Sequence, residues 1–201
     1  MQTSAPTKGN LIAAKRSRTL AETGWELMDR KRNILIRELM SRVDEARALQ
    51  NEIDGAFAAA YDALREAELT GGDCAPLAEA IDVDDSVRLR FRSVMGVEIP
   101  TVTADAKSAD TLPYSLADSS AALDEAYRRF TAIKELIARL SETETAVYRL
   151  AIAIRKAQKR ANALKNVVIP GLDRDIARIA DVLDEHEREE FVRMKVIKAQ
   201  Q

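Results

Sequence analysis

The sequence predicts an all-α fold, a long antiparallel two-helix left-handed coiled coil with a small central β-hairpin insert. Three observations predict it. Only 4% of the 201 residues are aromatic while 32% are charged, a composition suited to thin helical seams and not to a thick globular core. Two long stretches, nearly free of Gly and Pro, carry apolar residues three or four apart, the spacing of one helix face. Between them, apolar residues alternate with polar ones, the period of a strand.

The first long helix is expected within residues 1–69. Pro6 suits a first helical turn, and helix-favouring sequence runs from about Thr7 to Leu69 with only Gly9, Gly24 and Gly55 as interior glycines. Leu35, Leu39, Val43, Ala46, Leu49, Ile53, Ala56, Ala60 and Leu64 form its stripe. Thr70-Gly71-Gly72 then supplies a stop signal.

Residues 70–114 form the connecting region. In "DSVRLRFRSVMGVEIPTVTA", Val87, Leu89 and Phe91 alternate with Arg88, Arg90 and Arg92, and Gly96 precedes Val97, Ile99 and Val102. That pattern predicts a hairpin over about 86–102, with Pro100 confining the second arm to an edge. "TADAKSADTLP" reads as polar loop.

The second long helix is expected over 115–201. Pro113 lies just before it, and Ser115 with Asp118 reads as a capping box. Its stripe is Ile133, Ile137, Leu140, Val147, Ala151, Ile154, Ala161, Leu164, Val168, Leu172, Ile176, Ile179 and Leu183. Pro170-Gly171 interrupts it. An interior Pro costs about 3 kcal/mol and a Gly about 1 kcal/mol, yet the stripe resumes on the far side. A partner helix facing Val168 and Leu172 holds the backbone in line, so the expectation is a kink at Pro170; a break with a separate C-terminal helix is the alternative. Neither helix buries its stripe alone, and the chain reverses between them, so the two pair antiparallel. Glu144, Gln158 and Lys165 in or near the seam leave room for a third partner.

The chemistry of the chain is sparse. Its net charge of −2 gives no bulk attraction to nucleic acid, and one cysteine, Cys74, excludes an internal disulfide and suits a reducing compartment. No apolar run is long enough to span a bilayer, and "MQTSAPTKGNL" has no hydrophobic stretch of a secretory signal. The expectation is a soluble intracellular protein without direct membrane insertion. His186, in "DEHEREE", reads as solvated surface. There is no phosphate loop, dinucleotide fingerprint, zinc-protease motif or cysteine pair, so no catalytic, cofactor-binding or metal-ligating residue is expected and no cofactor.

Charge clusters carry more information. Arg30-Lys31-Arg32 is one, Arg155-Lys156 with Lys159-Arg160 a second, and Asp184 to Glu190 a third, acidic one. Antiparallel folding is expected to bring Arg16 and Arg18 level with the acidic tract. The basic clusters read either as intramolecular pairing or as contacts to charged collars on a surrounding protein. They are interrupted and lack aromatic platforms, so nucleic-acid binding is not expected.

The segments "PTKGNL", "LMDRKRNILIREL", "SVMGVEIP" and "RANALKNVVIPGLDRDIARIADVLDEHEREEFVRMKVIK" together resemble the D subunit of the vacuolar and archaeal-type rotary ATPases. They cover both ends and the middle of the chain. Lys8 departs from the family's usual Arg, and Lys165 from its frequent Glu.

The resemblance implies a non-catalytic central rotor shaft. Its partners would be the catalytic (A) and non-catalytic (B) nucleotide-binding subunits of the head, the small F subunit of the central stalk, and a funnel-shaped subunit above the membrane ring. It implies coupling of ATP hydrolysis or synthesis to proton or sodium transport, in a complex at the cytoplasmic face of a bacterial or archaeal membrane. Within it, Arg30, Lys31, Arg32, Arg155 and Lys156 are the expected head contacts. Val87, Leu89, Phe91, Val97 and Ile99 are the expected contacts to the F subunit or the funnel-shaped one, with packing on the shaft as the plainer reading. A coiled-coil scaffold or tether without a rotary role is the rival.

Overall fold

The computed structural model describes residues 5–79, 81, 86–104, 113–114 and 119–200. In chain order its elements are helix α1 (Lys8–Gly71), a short helix α2 (Ala75–Glu79), strands β1 (Val87–Val94) and β2 (Val97–Ala104), helix α3 (Ala121–Ala163), a π-helical turn (Leu164–Val168) and helix α4 (Ile169–Ala199). They compose two compact units. One holds the residues up to Ile34 together with those from Ile154 onward, and the other is Leu35–Ala153.

Local chemistry sets the helix ends. Thr7 caps α1, its Oγ1 accepting the Asn10 amide at 3.2 Å and its carbonyl accepting the Leu11 amide at 3.0 Å. Pro6 therefore stands outside the first turn. At the other end Gly72 adopts φ +81° and donates its amide to the Glu68 carbonyl at 3.0 Å, a glycine stop three residues beyond Leu69. Helix α3 begins at Ala121, not near Ser115, because Ser120 is its cap: Ser120 Oγ accepts the Leu123 amide at 3.3 Å. The capping box read from Ser115 and Asp118 lies outside the described residues. So does most of the loop read from "TADAKSADTLP".

Within Leu35–Ala153, α1 and α3 run antiparallel. Gln50 Nε2 donates to Glu144 Oε1 at 3.2 Å, and Arg129 Nη1 to the Ala59 carbonyl at 3.0 Å. Leu35, Leu49, Ile53 and Ala60 from α1 are buried, as are Ala126, Ile133, Thr143, Ala146 and Leu150 from α3. Seven-residue steps, Ala126 to Ile133 and Thr143 to Leu150, are those of a coiled-coil seam. Every residue of the expected α1 stripe is buried or half-buried. The α3 stripe needs correction at two points, since Ile137 and Ala151 are exposed. The seam passes instead through Thr143, whose hydroxyl donates to the Arg139 carbonyl at 2.9 Å, so its burial leaves no donor unsatisfied. Glu144, one residue on, is exposed.

The hairpin belongs to this same unit. Its two-residue turn places Met95 at φ 50° and Gly96 at φ 75°, the pair of positive values that a type I′ turn requires. Phe91 faces Pro100 and Val94 faces Val97 across the ladder. The second strand reaches Ala104, two residues past the expected end. The hairpin docks on the helices through β2: the Val102 amide donates to Glu142 Oε2 at 2.8 Å, and Arg149 Nη1 donates to the Glu98 carbonyl at 3.1 Å. Helix side chains thus satisfy groups that an open sheet edge leaves bare.

In the other unit, α1 pairs antiparallel with the last part of α3 and with α4. Lys8 meets Glu187 at 2.8 Å, Arg18 meets Asp173 at 2.5 Å, and Arg32 meets Gln158 at 2.7 Å. The expectation of Arg16 and Arg18 beside the acidic tract is corrected here: it is Lys8 that stands there, about three turns away along α1. Ala21, Ala157, Ala161 and Ile179 are buried along this seam. Pro170 does not break the helix. Helix α4 runs from Ile169 through Pro170 to Ala199, and backbone angles are helical on both sides of the preceding π turn, φ −63° and ψ −43° at Ala163 and φ −61° and ψ −51° at Ile169. One turn before the proline, the Ile169 amide bonds to the Leu164 carbonyl five residues back, the pattern of a π turn.

Candidate functional site

The two basic clusters are brought together. Arg32 bridges to Gln158, so Arg30-Lys31-Arg32 lies beside Arg155-Lys156 and Lys159-Arg160 within one unit. Their states differ. Arg155, Lys156, Lys159 and Arg160 are exposed and form no ion pair among the described residues. Lys31 is half-buried and also without one. Arg30 is exposed, with Glu26 at 3.8 Å. Arg32 is a different kind of residue, only a quarter exposed and held by Asp29 at 2.8 Å as well as by Gln158. It ties the helices together, whereas Arg155, Lys156, Lys159 and Arg160 offer exposed cationic ends on long stems.

The hairpin candidates divide between two faces and two strands, with β1 exposed and Ile99 and Pro100 of β2, one on each face, both buried. Residues paired across the ladder share a face, so Val87, Leu89 and Phe91 lie on one side with Val102 and Pro100, and Val97 and Ile99 on the other with Arg92. Ile99 is 1% exposed and Val97 is half-buried, so Ile99 offers almost no free surface. Arg92 beside them reaches Glu38 of α1 at 3.6 Å. Val87, Leu89 and Phe91 are 50%, 62% and 58% exposed, three adjacent apolar side chains in water. The Arg149 guanidinium sits over the Phe91 ring at 5.4 Å, a cation–π contact that orients the ring. Alternation alone does not say which side of a two-stranded ribbon meets the protein, and that is why the sequence by itself groups all five.

Nothing catalytic emerges among the described residues. No group of three or more His, Cys, Asp or Glu side chains is placed to hold a metal ion. His186 is exposed, with Glu189 Oε2 at 3.9 Å. Cys74 lies on an apolar cavity of about 250 Å³ with Leu64, Leu77, Tyr114, Leu123 and Phe130. Burial there, with the nearby charges of Glu68 and Asp73, pushes the Cys74 thiol above its ordinary range, which disfavours the thiolate. The cavity carries no cation for phosphate. No helix among the described residues is long and apolar enough to cross a membrane.

The far end of helix α4 buries no residue, although Glu187 still meets Lys8. From Asp184 onward every described residue is exposed, including Phe191, Val192, Met194, Val196 and Ile197. Sequence reasoning marks the acidic tract here and misses the apolar residues that follow it, although five in seven positions is a legible signal.

The family of the ATP synthase D subunit matches residues 10–199. The chain is similar to the D subunit of the V-type ATP synthase of Thermotoga neapolitana, 42% identical over 196 residues that make up 96% of each chain. It is similar to the D subunit of the A-type ATP synthase of Thermococcus sibiricus, 34% identical over 198 residues, 96% of this chain and 92% of the other. It is similar at 35% over 197 residues to the corresponding A-type protein of Methanosphaera stadtmanae, with the same coverage.

Proposed function

The chain belongs to the family of the ATP synthase D subunit, and from that membership we propose how its surfaces serve the complex. It is a non-catalytic central-stalk component of a V-type or A-type ATP synthase. The observation that carries this reading is a family match over residues 10–199 on a chain of paired helices that holds no catalytic constellation among its described residues. A scaffold without a rotary role is not favoured.

The finer reading concerns partners. Arg30, Lys31, Arg155 and Lys156 contact the catalytic (A) and non-catalytic (B) nucleotide-binding subunits of the head, with Lys159 and Arg160 adding to the same cationic belt. Arg32 holds that belt in register and does not itself reach the head. Val87, Leu89 and Phe91 contact the F subunit or the funnel-shaped subunit above the membrane ring. The complex sits at the cytoplasmic face of the membrane, with this chain peripheral to it.

Coupling follows from asymmetry. A partner shifts a conformational equilibrium only through differential binding to its states. One central shaft cannot present the same side chains to three equivalent catalytic interfaces at once, so its azimuth favours an open state at one interface and a closed state at another. Rotation permutes these states and links ATP chemistry to proton or sodium movement. The test is assembly of the complex with and without this chain in sealed vesicles. ATP-driven ion transport that appears only with the chain supports the reading, and equal transport without it contradicts the reading.

A further inference from the structure

The π turn at Leu164–Val168 lies in a helix whose neighbouring proline offers an obvious cause. The seam offers another. Before the turn, the seam repeats every seven residues: Ile154 and Ala161, then Val168, in one series, and Ala157 and Leu164 in the other. After it, Leu172 and Ile179 form one such series and Ile176 and Leu183 the other. Within each block the steps alternate three and four. The blocks do not join in phase, because Leu164, Val168, Leu172 and Ile176 are separated by three four-residue steps in succession. Continued unchanged, the first repeat would bring Gly171, Asp175 and Arg178 into the seam; Gly171 is buried but offers no side chain to it. The side chain found there is Ile179, at 0% exposure, with Ala161 at 2% and Ala157 at 4% on the other side of the turn. The chain therefore carries one residue more than the seam has positions.

We propose that this extra residue, and not Pro170, demands the π turn, and that the turn sets the rotational phase of the following helix. A π turn closes its hydrogen bond over five residues in place of four, and so absorbs one residue without breaking the helix. One residue is about 100° of rotation. Absorbing it at Leu164–Val168 returns Leu172, Ile176 and Ile179 to the α1-facing side, and so determines which side chains of α4 point outward. Interruptions of a heptad are known to change local winding in the same way. Gly24 of α1 lies opposite, where an added Cβ would come 3.7 Å from Leu164 Cδ1, an ordinary contact. The turn therefore needs no glycine facing it.

Two variants of the full chain separate the causes. Pro170→Ala removes the ring. The second variant is Pro170→Ala with Asn166, an exposed residue of the turn, also removed. The deletion leaves an apolar residue at every seam position, because Ile169 takes the place of Val168 and Leu172, Ile176 and Ile179 move up into phase. The proposal expects a crystal structure of Pro170→Ala to keep the Ile169-to-Leu164 bond, and the deletion variant to be continuous α-helix with a Tm no lower than that of Pro170→Ala. The proposal is overturned if Pro170→Ala alone reverts to an unbroken α-helix. It is overturned equally if the deletion variant exposes Ile179, fails to fold, or loses roughly 5 °C or more in Tm relative to Pro170→Ala.

Discussion

Arg32 and Gln158 meet across the helix pair, Nη1 to Oε1 at 2.7 Å, and this bond sets two basic clusters 126 residues apart in the chain side by side. Arg32 spends its charge on Asp29 and Gln158, while Arg155 and Lys156 face water without an ion-pair partner among the described residues. Helix-tying pairs and unpaired surface charge thus fall on different residues of the two clusters.

Reversing Arg155 and Lys156 together to Glu is therefore expected to leave stability within about 0.5 kcal/mol, as for exposed residues without partners. The same variant is expected to weaken assembly with the nucleotide-binding head, and the loss to depend on ionic strength. Urea denaturation and size-exclusion co-elution at two salt concentrations measure the two effects. Unchanged assembly would remove these residues from the proposed contact.

The two hairpin strands are expected to respond in opposite ways. Ile99→Ala deletes a side chain that is 1% exposed and is expected to cost about 2–5 kcal/mol. Phe91→Ala, at an exposed site with a cation–π contact, is expected to cost about 1 kcal/mol or less. Leu89→Ser with Phe91→Ser is expected to abolish partner capture while far-ultraviolet circular dichroism stays unchanged. Pull-down with the purified F subunit and, separately, with the funnel-shaped one tells which partner uses the face.

Gly55 lies within α1, and a Cβ added there meets nothing within 4 Å. Gly55→Ala is expected to raise stability by about 0.5–1 kcal/mol through helix propensity and a less flexible unfolded chain. A lower midpoint in urea would mean that this surface is already in use in the isolated chain.

The Lys8–Glu187 pair makes the start of α1 sensitive to pH. The hydrogen bond and charge of Lys8 hold the Glu187 carboxyl below its ordinary range, and Glu187 holds the Lys8 ammonium above its own. The carboxylate's contribution is thus present above the ordinary Glu value and is lost as pH falls through the depressed one. The lysine's contribution is present below the ordinary Lys value and is lost as pH rises through the raised one. Both side chains are largely exposed, so the effect is local. Hydrogen exchange of the first-turn amides of α1 is expected to show protection through neutral pH that declines in acid, and Glu187→Gln is expected to flatten the acid limb.

Much of the fold is legible because a helix seam is periodic and a coiled coil has little else. The α1 stripe from Leu35 to Leu64 can be read directly, as can the glycine stop and the hairpin. Reading fails where a polar residue takes a seam position with its hydrogen bond satisfied locally. Thr143 does this, and counting apolar letters draws the stripe onto Ile137 and Ala151 instead. It fails again at Ser120, a cap that looks like any other serine in "LADSSAAL". The level of the acidic tract is missed because helix pairing depends on where the connection between the helices begins and ends, and an error there moves every cross-pair by the same amount. For the site, composition locates both basic clusters, but only side-chain geometry distinguishes Arg32, which ties helices, from Arg155, which does not. The split of the hairpin into a docked β2, where Ile99 and Pro100 are both buried, and an exposed β1 has no signal in alternation, which is the same in both strands.

The central claim is that this chain turns inside a ring of nucleotide-binding subunits. The most direct measurement is single-molecule rotation. A reconstituted head is immobilised, a bead is attached to this chain, and ATP is added. The account predicts unidirectional steps of about 120°, as threefold equivalence of the catalytic interfaces requires, with the rate set by ATP concentration. A bead that stays still while the head hydrolyses ATP at its full rate would contradict it.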